Sequence, residues 1–188
     1  MDLQQQKKIV SQARRDPQMF ADLYDDNYPR IYNFIVRRVT SVEIAQDITS
    51  EVFLKAFQKL WLFQWRRISF SSWLYRIAIH EISNYFRKNK YQSISLDSML
   101  EEHNFEPADK EDPQTEMIKM QSIIEEKKDF LKIQKALTQL PLKYQTVLSL
   151  KFFEHKKIHE ICEILGKKEG TVKSLLSRGM NQLKALVQ

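Results

Sequence analysis

The stretch EICEILGKKEGTVKSLLSRGMNQL, residues 160–183, contains all three glycines of this 188-residue chain. Its apolar spacing predicts two helices, one from Ile158 to Leu165 and one from Glu169 to about Leu186. Gly166 follows the first helix directly, at the position where a residue in the left-handed conformation commonly closes a helix. Two helices joined by a short turn that contains glycine form a helix-turn-helix unit.

The second helix of this unit has an apolar face and a polar face. The residues expected to point inward are Val172, Leu175, Leu176, Leu183 and Leu186. The residues expected on the outer face are Thr171, Lys173, Ser174, Ser177, Arg178 and Asn181. A helix with short polar and cationic groups fits the DNA major groove, with its N-terminal residues nearest the bases. We therefore predict duplex DNA binding, although the spacing alone also fits an ordinary helical hairpin with a solvated basic face.

Gly170 and Gly179 both lie inside this predicted second helix. Gly170 belongs to its opening turn, where we expect a larger side chain to hinder close approach. Gly179 lies in mid-helix, where glycine costs ~1 kcal/mol relative to alanine. We therefore predict that another helix packs tightly against the chain at Gly179.

Helical spacing also dominates the first half of the chain. The segment from Phe20 to Val39 is interrupted by Pro29, so we expect a short helix and then a second one that starts near the proline. Residues 41–60 form the clearest amphipathic helix, with apolar residues recurring every four positions. Another helix follows near residue 73, and Ser71 or Ser72 is its expected N-cap.

The composition and the remaining spacing favour an all-α fold class. A further helix is predicted from Leu142 to Phe153, directly before the helix-turn-helix. The chain contains five prolines and three glycines, too few for an all-β protein with its frequent turns.

Charge divides the chain into three parts, although its formal net charge is only +6. Six basic residues and a single acidic residue, Glu81, lie between Arg66 and Lys90. Residues 93–116 carry eight carboxylates, one lysine and two prolines, and they lack a sustained apolar period. Residues 143–184 carry nine lysines and arginines against four glutamates. We therefore predict two helical domains, 1–92 and 117–188, joined by an acidic linker, 93–116.

Several classes of protein are disfavoured by what the sequence lacks. A single cysteine allows no intramolecular disulfide, which favours a cytoplasmic location. Neither a secretory signal nor an apolar run of about 20 residues is found, so we expect no membrane insertion. Because the chain has no glycine-rich phosphate loop and no Ser/His/Asp motif, we expect neither an enzyme, nor a cofactor, nor a small-molecule substrate.

Three potential metal ligands lie near the helix-turn-helix. His155, His159 and Cys162 are spaced as on one helical face. However, His155 falls in the expected turn before the helix, which would break that face, and Cys162 lies on an apolar stripe. We therefore predict no metal site.

Motifs in both halves of the chain resemble the extracytoplasmic-function sigma factors of bacterial RNA polymerase. EICEILGKKEGTVKSLLSRGMNQL resembles their fourth conserved region, and ALTQLPLKYQTVLSL is similar to the helix that precedes it. DITSEVFLKAF resembles the core-binding helix of their second region, and FSSWLYRIAIHEISNYFRK resembles its promoter-melting helix. The resemblance covers nearly the whole chain and follows the order of the family.

The resemblance implies that the second domain binds the −35 promoter element as duplex. The residues implied in −35 binding are Lys167, Lys168, Thr171, Lys173, Ser174, Ser177 and Arg178. The first domain would bind the melted −10 strand through a cationic groove with aromatic platforms. The residues implied in −10 binding are Trp65, Arg66, Arg67, Phe70, Arg76, His80, Asn84, Arg87 and Lys88. Tyr85 is a further candidate for stacking, and the loop from Phe63 to Ser72 would form a pocket for a flipped base.

The resemblance also implies protein partners. The face that would bind core RNA polymerase comprises Gln46, Asp47, Ser50, Glu51 and Lys55. The polymerase surfaces implied are the β′ clamp helices and the β flap, and an anti-sigma factor is a further expected partner. The acidic linker is either a plain tether or a segment that passes through the polymerase.

The sequence departs from the family pattern at the core-binding and melting helices. Ser50 replaces the usual glutamine, while Ile79, His80 and Asn84 replace the usual arginine, asparagine and aspartate. We therefore expect an unusual −10 preference. Trp73 lies on an apolar stripe and is expected in the core, while Trp61 and Trp65 could serve either the core or DNA binding.

Two other functions are compatible with a helical DNA-binding pattern. A stand-alone regulator would bind a palindromic operator as a dimer and would need no polymerase. A helical interaction protein with basic faces would show no steep salt dependence of DNA binding. The motifs of the first half favour the sigma factor over both.

Overall fold

The computed structural model of the chain describes residues 3–39, 41–65, 68–89 and 132–187. The α-helices are α1 (Leu3–Ala13), α2 (Phe20–Val39), α3 (Val42–Gln58), α4 (Phe70–Asn89), α5 (132–139), α6 (Leu142–Leu148), α7 (Ile158–Leu165) and α8 (Glu169–Val187). All regular structure in these ranges is helical, which confirms the all-α prediction. None of these helices is both long and apolar enough to cross a membrane. The predicted linker and both domain boundaries beside it lie outside the described residues.

Helices α1 to α4 pack around one apolar core. On α3, the stripe predicted from the sequence is buried at Ile48, Val52 and Ala56. Phe34 of α2 and Leu74 of α4 are completely buried in the same cluster. Burying a side chain of this size stabilises the fold by about 1.5–3 kcal/mol, so this core holds the outer faces of α3 and α4 in place.

The prediction of two helices between Phe20 and Val39 is wrong, because α2 continues through Pro29. A proline inside a helix removes one backbone hydrogen bond and costs ~3 kcal/mol or more. Here Leu23 before the proline and Ile31 after it are both buried in the same core. Burial on both sides of the proline keeps the two halves in one helix.

The predicted N-cap of α4 is also wrong by two or three residues. The hydroxyl of Ser69 accepts a hydrogen bond from the backbone N–H of Ser72 at 3.1 Å, and the Ser69 carbonyl accepts one from Trp73. Ser69 therefore caps α4. Ser72 is buried and receives a hydrogen bond from the Ser69 hydroxyl, so it supports the cap from inside the first turn.

Helix α6 continues into a π-helical turn, Ser149–Phe153. Together they cover the range from Leu142 to Phe153 that the sequence predicts as one helix. The chain then breaks at His155, which has a positive φ of 50°. Helix α7 ends at Gly166 with φ 62°, which confirms the predicted left-handed closure.

Helix α8 packs on α6 at Gly179, as predicted. A Cβ atom built at Gly179 would lie 3.2 Å from Tyr144 Cβ and 3.3 Å from Leu148 Cδ1. The prediction that Leu186 points inward is wrong, because 46% of its surface is exposed. Leu186 lies in the last turn of α8, beyond the point at which α6 can cover it.

The two halves of the chain contact each other through α4 and α7. Ile161 and Ile164 of α7, together with Leu150 of the π turn, belong to the same buried cluster as the α1–α4 core. The sequence contains no signal for this docking.

Candidate nucleic-acid and polymerase interfaces

The outer face of α8 is open to solvent along its first three turns. The seven residues predicted to bind the −35 element are all exposed, namely Lys167, Lys168, Thr171, Lys173, Ser174, Ser177 and Arg178. Lys173 Nζ lies 2.6 Å from Glu169 Oε1, and this hydrogen bond raises the pKa of Lys173. Because the pair is exposed, solvent screens it strongly and it contributes little to stability. The structure thus brings the predicted set together on one accessible face.

Helix α7 is oriented by a cap at its N-terminus. The Glu160 carboxylate accepts a hydrogen bond from the backbone N–H of Lys157 at 2.8 Å, and Lys156 Nζ lies 3.4 Å from it. Burial raises the pKa of Glu160, but these contacts outweigh burial and leave the pKa below its ordinary value. The cap fixes the start of α7, and Gly166 closes the other end of the helix before α8 begins.

The three potential metal ligands near α7 do not share a helical face. His155 precedes α7 and has a left-handed backbone, while His159 and Cys162 lie on the helix. Burial is the main cause that raises the pKa of the Cys162 thiol, which disfavours the thiolate a metal would need. Among the described residues, no group of three or more His, Cys, Asp or Glu side chains could hold a metal ion.

The predicted polymerase-binding face of α3 is only partly free. Gln46, Asp47 and Ser50 are exposed. Lys55 instead turns toward α4, where its Nζ lies 2.7 Å from Glu81 Oε2 and 2.9 Å from Glu51 Oε1. The hydrogen bond to Glu81 is the main cause that raises the pKa of Lys55, and the hydrogen bond to Glu51 raises it further.

Leu54 is an exposed apolar residue that the sequence analysis missed. It lies one helical turn beyond Ser50 on α3, and half of its surface is exposed. The sequence signal for its exposure was a leucine on the polar side of an amphipathic helix. Leu54 therefore adds an apolar side chain to the polar face of α3.

The outer face of α4 carries a chain of side-chain hydrogen bonds. Arg87 Nη2 donates to Asn84 Oδ1 at 2.8 Å, and Asn84 Nδ2 lies 3.1 Å from His80 Nδ1. His80 Nδ1 lies 2.9 Å from Glu81 Oε1. His80, Arg87 and Lys88 are exposed, and Asn84 is half-buried. The structure therefore places four of the predicted −10 residues on one accessible face: His80, Asn84, Arg87 and Lys88.

Glu81 connects this face with α3. Its carboxylate is almost fully buried, yet it pairs with Lys55 on one side and with His80 on the other. Burial raises its pKa, while the hydrogen bonds of Lys55, His80 and Asn84 lower it, and the net result is a pKa below the ordinary value. The carboxylate is therefore ionised at neutral pH.

A cavity of about 320 Å³ lies at the loop between α3 and α4. It is lined by Arg14, Phe63, Gln64 and Trp65. The guanidinium of Arg14 donates to the Leu60 carbonyl at 3.2 Å and also to the Phe63 carbonyl, so α1 braces this loop. The sequence analysis did not predict helix α1 or a role for Arg14. Arg66 and Arg67, both predicted −10 residues, lie outside the described residues.

The predicted aromatic platforms divide into buried and accessible residues. The interpretation of Phe70 as a stacking group is wrong, because Phe70 is completely buried against Phe63 and Trp73. Its position in the first turn of α4 turns it into the core. Trp73 packs against the core as expected. Trp65 and Tyr85 are half-buried, and Trp61 is 71% exposed.

Arg76 contacts the second half of the chain. Its Nε donates to the backbone carbonyls of Ile164 at 3.0 Å and Glu163 at 3.1 Å. These carbonyls belong to the last turn of α7, where the helix dipole favours a cation. In this arrangement the guanidinium of Arg76 is bound to α7.

A second polar contact between the halves is formed by the largely buried carboxylate of Glu154. Glu154 accepts hydrogen bonds from Tyr75 Oη at 2.5 Å and from Arg37 Nη1 at 3.2 Å. Burial is the main cause that raises the pKa of Tyr75. The completely buried Arg38 lies over the ring of Phe34 at 3.6 Å, and burial lowers its pKa to about 9. Arg37 and Tyr75 thus join α2 and α4 to Glu154 in the turn before α7.

Comparisons with known proteins match each half of the chain to a family model. The family model described as Sigma-70 region 2 matches residues 23–91, and the model described as Sigma-70, region 4 matches residues 130–183. The chain is 30% identical over 201 aligned positions to the ECF RNA polymerase sigma factor SigW of Bacillus subtilis (strain 168), covering 98% of this chain and 97% of SigW. It is 31% identical to the RNA polymerase sigma factor YlaC of the same organism, covering 87% and 88%.

Solved structures share the fold. CnrH in complex with the cytosolic domain of CnrY matches with a TM-score of 0.67 at 15% identity, covering 97% of this chain and 96% of CnrH. The sigma factor RpoE in complex with the anti-sigma factor NepR from Bartonella quintana matches with a TM-score of 0.62 at 22% identity, covering 89% and 96%. The chain therefore belongs to the sigma-70 family of RNA polymerase sigma factors and, within that family, to the ECF type.

Proposed function

We propose that this chain binds core RNA polymerase and directs it to promoters by reading two DNA elements in different states. The domain of residues 1–92 binds the core enzyme and the opened −10 strand, and the domain of residues 117–188 reads the −35 duplex. The observation that carries the proposal is that one chain presents two separate exposed faces with cationic and polar side chains, on α4 and on α8.

The exposed face of α8 suits the −35 duplex. Thr171, Lys173 and Ser174 lie in its N-terminal turns, the part of a recognition helix that lies nearest the base edges. Lys167 and Lys168 precede the helix and can neutralise phosphates. Each phosphate neutralised by a cation makes the affinity more sensitive to salt, so −35 binding weakens as the salt concentration rises.

The accessible face of α4 and the loop before it suit an unpaired strand. Single strands are bound by cationic grooves in which bases stack on aromatic rings. Arg87 and Lys88 provide charge, and Trp65 lines a cavity of about 320 Å³, at the small end of the range for ligand pockets, about 300–1,000 Å³. Capturing a flipped base there offsets an unstacking cost of a few kcal/mol. Melting therefore needs no hydrolytic step by this chain, and we propose a binding factor without enzyme activity.

The polymerase-binding surface is the exposed face of α3. Gln46, Asp47 and Ser50 provide polar contacts for the β′ clamp helices, and Leu54 adds an apolar one. Glu51 and Lys55 act from the edge of this surface because Lys55 is held by Glu81. The domain of residues 117–188 would contact the β flap.

The contact between α4 and α7 must open for both elements to be read. Elements centred at −35 and −10 are about 25 base pairs apart, or roughly 85 Å of duplex at about 3.4 Å per base pair. Helices that touch each other cannot span this distance. Opening also releases Arg76 from the carbonyls of α7, so that it can join the −10 face.

An anti-sigma factor is a further proposed partner. One of the two solved structures described above is a complex of a sigma factor with an anti-sigma factor, and the other is a complex of CnrH with the cytosolic domain of CnrY. A protein that holds the halves together, or covers α3, would prevent promoter binding. We place these interactions in the cytoplasm, where the polymerase and the promoter are found.

Run-off transcription with core polymerase and a library of randomised promoters tests the proposal. We expect initiation above that of core alone, from promoters that share a −35 and a −10 sequence. The same library without polymerase provides the control, since a stand-alone regulator would select a palindrome from it. Initiation no higher than with core alone would contradict the proposal.

A further inference from the structure

Glu81 is the only acidic residue between Arg66 and Lys90, and its side chain is 9% exposed. A lone carboxylate on a helix proposed to bind DNA repels phosphate unless it is neutralised. Here Lys55 Nζ neutralises it from α3 at 2.7 Å. The other carboxylate oxygen is left for the residues on the outer face of α4.

The arrangement around this oxygen determines which nitrogen of His80 carries a proton. A carboxylate only accepts hydrogen bonds, so the contact of 2.9 Å requires a proton on His80 Nδ1. The amide NH2 of Asn84 lies 3.1 Å from the same Nδ1 and can only donate, but the ionised carboxylate is nearer to Nδ1 and is the stronger partner, so the Nδ1 proton is directed to Glu81. Arg87 donates to Asn84 Oδ1 and so keeps the NH2 of Asn84 on the side of the carboxylate, whose pKa it lowers. In a neutral imidazole the other nitrogen, Nε2, then has no proton and accepts a hydrogen bond.

We propose that Glu81 is a positioning residue for −10 recognition, because it holds His80 in the tautomer whose Nε2 accepts a hydrogen bond. The ring of His80 is 71% exposed, so Nε2 is available to DNA. The inference rests on the proposed −10 role of α4. It assigns a function to His80, one of the positions at which the chain departs from the family pattern.

An accepting Nε2 selects bases by their amino groups. This selection applies while the −10 element is still paired, before it melts, when the major-groove edges of its bases face α4. On those edges adenine and cytosine present an amino donor, whereas guanine and thymine present carbonyl acceptors at the corresponding positions. A single neutral hydrogen bond corresponds to a preference of roughly three- to tenfold. We therefore expect adenine or cytosine, on one strand, at the base that faces His80.

The tautomer can be measured on the full-length wild-type chain without DNA. Long-range nitrogen–proton NMR distinguishes the two neutral forms of an imidazole, and only four histidines have to be assigned. The resonance of His80 is the one that disappears in the His80→Gln variant. At about pH 9, where imidazole rings are neutral, we expect a proton on Nδ1. A proton on Nε2 in the wild-type chain overturns the proposal.

The Glu81→Gln variant tests the consequence for DNA. Lys55 attracts the amide oxygen, which turns the amide NH2 toward His80 and favours the tautomer with a proton on Nε2. The preferred base should then change from adenine or cytosine to guanine or thymine in run-off transcription with a −10 library. Glu81→Leu, which removes the acceptor altogether, should abolish the preference. Glu43→Gln removes the same charge from an exposed site on α3 and should leave the preference unchanged.

A double variant separates positioning from a general effect on the fold. If Glu81 acts through His80, the change Glu81→Gln has no further effect on base preference in the His80→Ala background. An equal effect in both backgrounds overturns the proposal. If the wild-type chain itself shows no −10 preference, the proposed function of α4 fails instead. If it shows one that Glu81→Gln leaves intact, only the role of Glu81 fails.

Discussion

At the scale of the residue, two glycines of α8 lie in opposite surroundings. A Cβ atom at Gly179 would meet Tyr144 Cβ, which cannot move without its backbone, whereas no atom lies within 4 Å of a Cβ at Gly170. Overpacking costs about 1–3 kcal/mol, and the gain in helix propensity is ~1 kcal/mol. We expect Gly179→Ala to lower the free energy of unfolding by up to about 2 kcal/mol in urea titrations.

Gly170→Ala is the matched control, since it changes propensity alone. It should raise the free energy of unfolding by up to ~1 kcal/mol. Equal effects of the two substitutions would show that α6 and α8 do not pack closely at Gly179.

Glu81 gives the stability a predictable dependence on pH. Its folded pKa lies below the unfolded value, so its contribution is present above about pH 4.5 and is lost as the pH falls through the folded pKa. We expect wild type to be more stable than Glu81→Gln at pH 7, with a difference that shrinks as the pH falls below about 4.5. Urea unfolding at several pH values measures it. A difference that does not change with pH contradicts the ionic role of Glu81.

Single residues could be placed from the sequence where helical periodicity is long and regular. The exposed set on α8, including Arg178, follows from a period sustained over several turns. Phe70 could not be placed, because it lies in a first turn where too few neighbours define a face. Glu81 was noticed only as a lone acid, since its partner Lys55 lies on another helix.

At the scale of the element, α8 should carry −35 discrimination independently of core binding. We expect the double variant Lys173→Ala with Arg178→Ala to lose −35 discrimination, because each base contact contributes about 1–3 kcal/mol. Affinity for core polymerase should not change, since α3 lies elsewhere. Promoter competition assays and core-binding titrations measure the two quantities separately.

The control for this double variant is Lys184→Ala, an exposed cation in the last turn of the same helix. It should leave −35 discrimination intact. Weakened core binding in the double variant would mean that the surfaces are wrongly assigned.

A whole element could be predicted when its own sequence contained enough information. The helix-turn-helix could be predicted, because Gly166 and the apolar stripes identify it locally. The unbroken helix α2 could not be predicted, because Pro29 is a local signal for a break and packing on both sides of it overrides that signal. Helix α1 has only a short apolar stripe around Val10 and Ala13, so its role in bracing the loop through Arg14 depends on tertiary contacts.

At the scale of the whole molecule, Glu154 holds the two halves together. Removing it leaves Tyr75 and Arg37 without their shared acceptor, and lost hydrogen bonds to a charged group cost about 1.5–3 kcal/mol each. We expect Glu154→Ala to increase the radius of gyration in small-angle X-ray scattering while the helical content stays constant.

Glu163→Ala serves as the control, because only the backbone carbonyl of Glu163 contacts Arg76. It should leave the radius of gyration unchanged. If Glu154→Ala is as compact as wild type, the polar cluster around Glu154 does not hold the closed arrangement.

The docking of the halves could not be predicted from the sequence. Its apolar part, Ile161 and Ile164, belongs to the same stripe that a separate helix-turn-helix would bury in its own core. Its polar part joins Arg37 to Glu154 across more than a hundred residues of chain. Periodicity describes one element at a time and contains no information on such a pair.

Site-specific photocrosslinking in a polymerase–promoter open complex tests the central claim most directly. With a crosslinker at position 84 on α4 and another at position 174 on α8, we expect the first to label unpaired −10 bases and the second to label the −35 duplex. Labelling of paired DNA alone from position 84, or of no promoter DNA at all, would contradict the account.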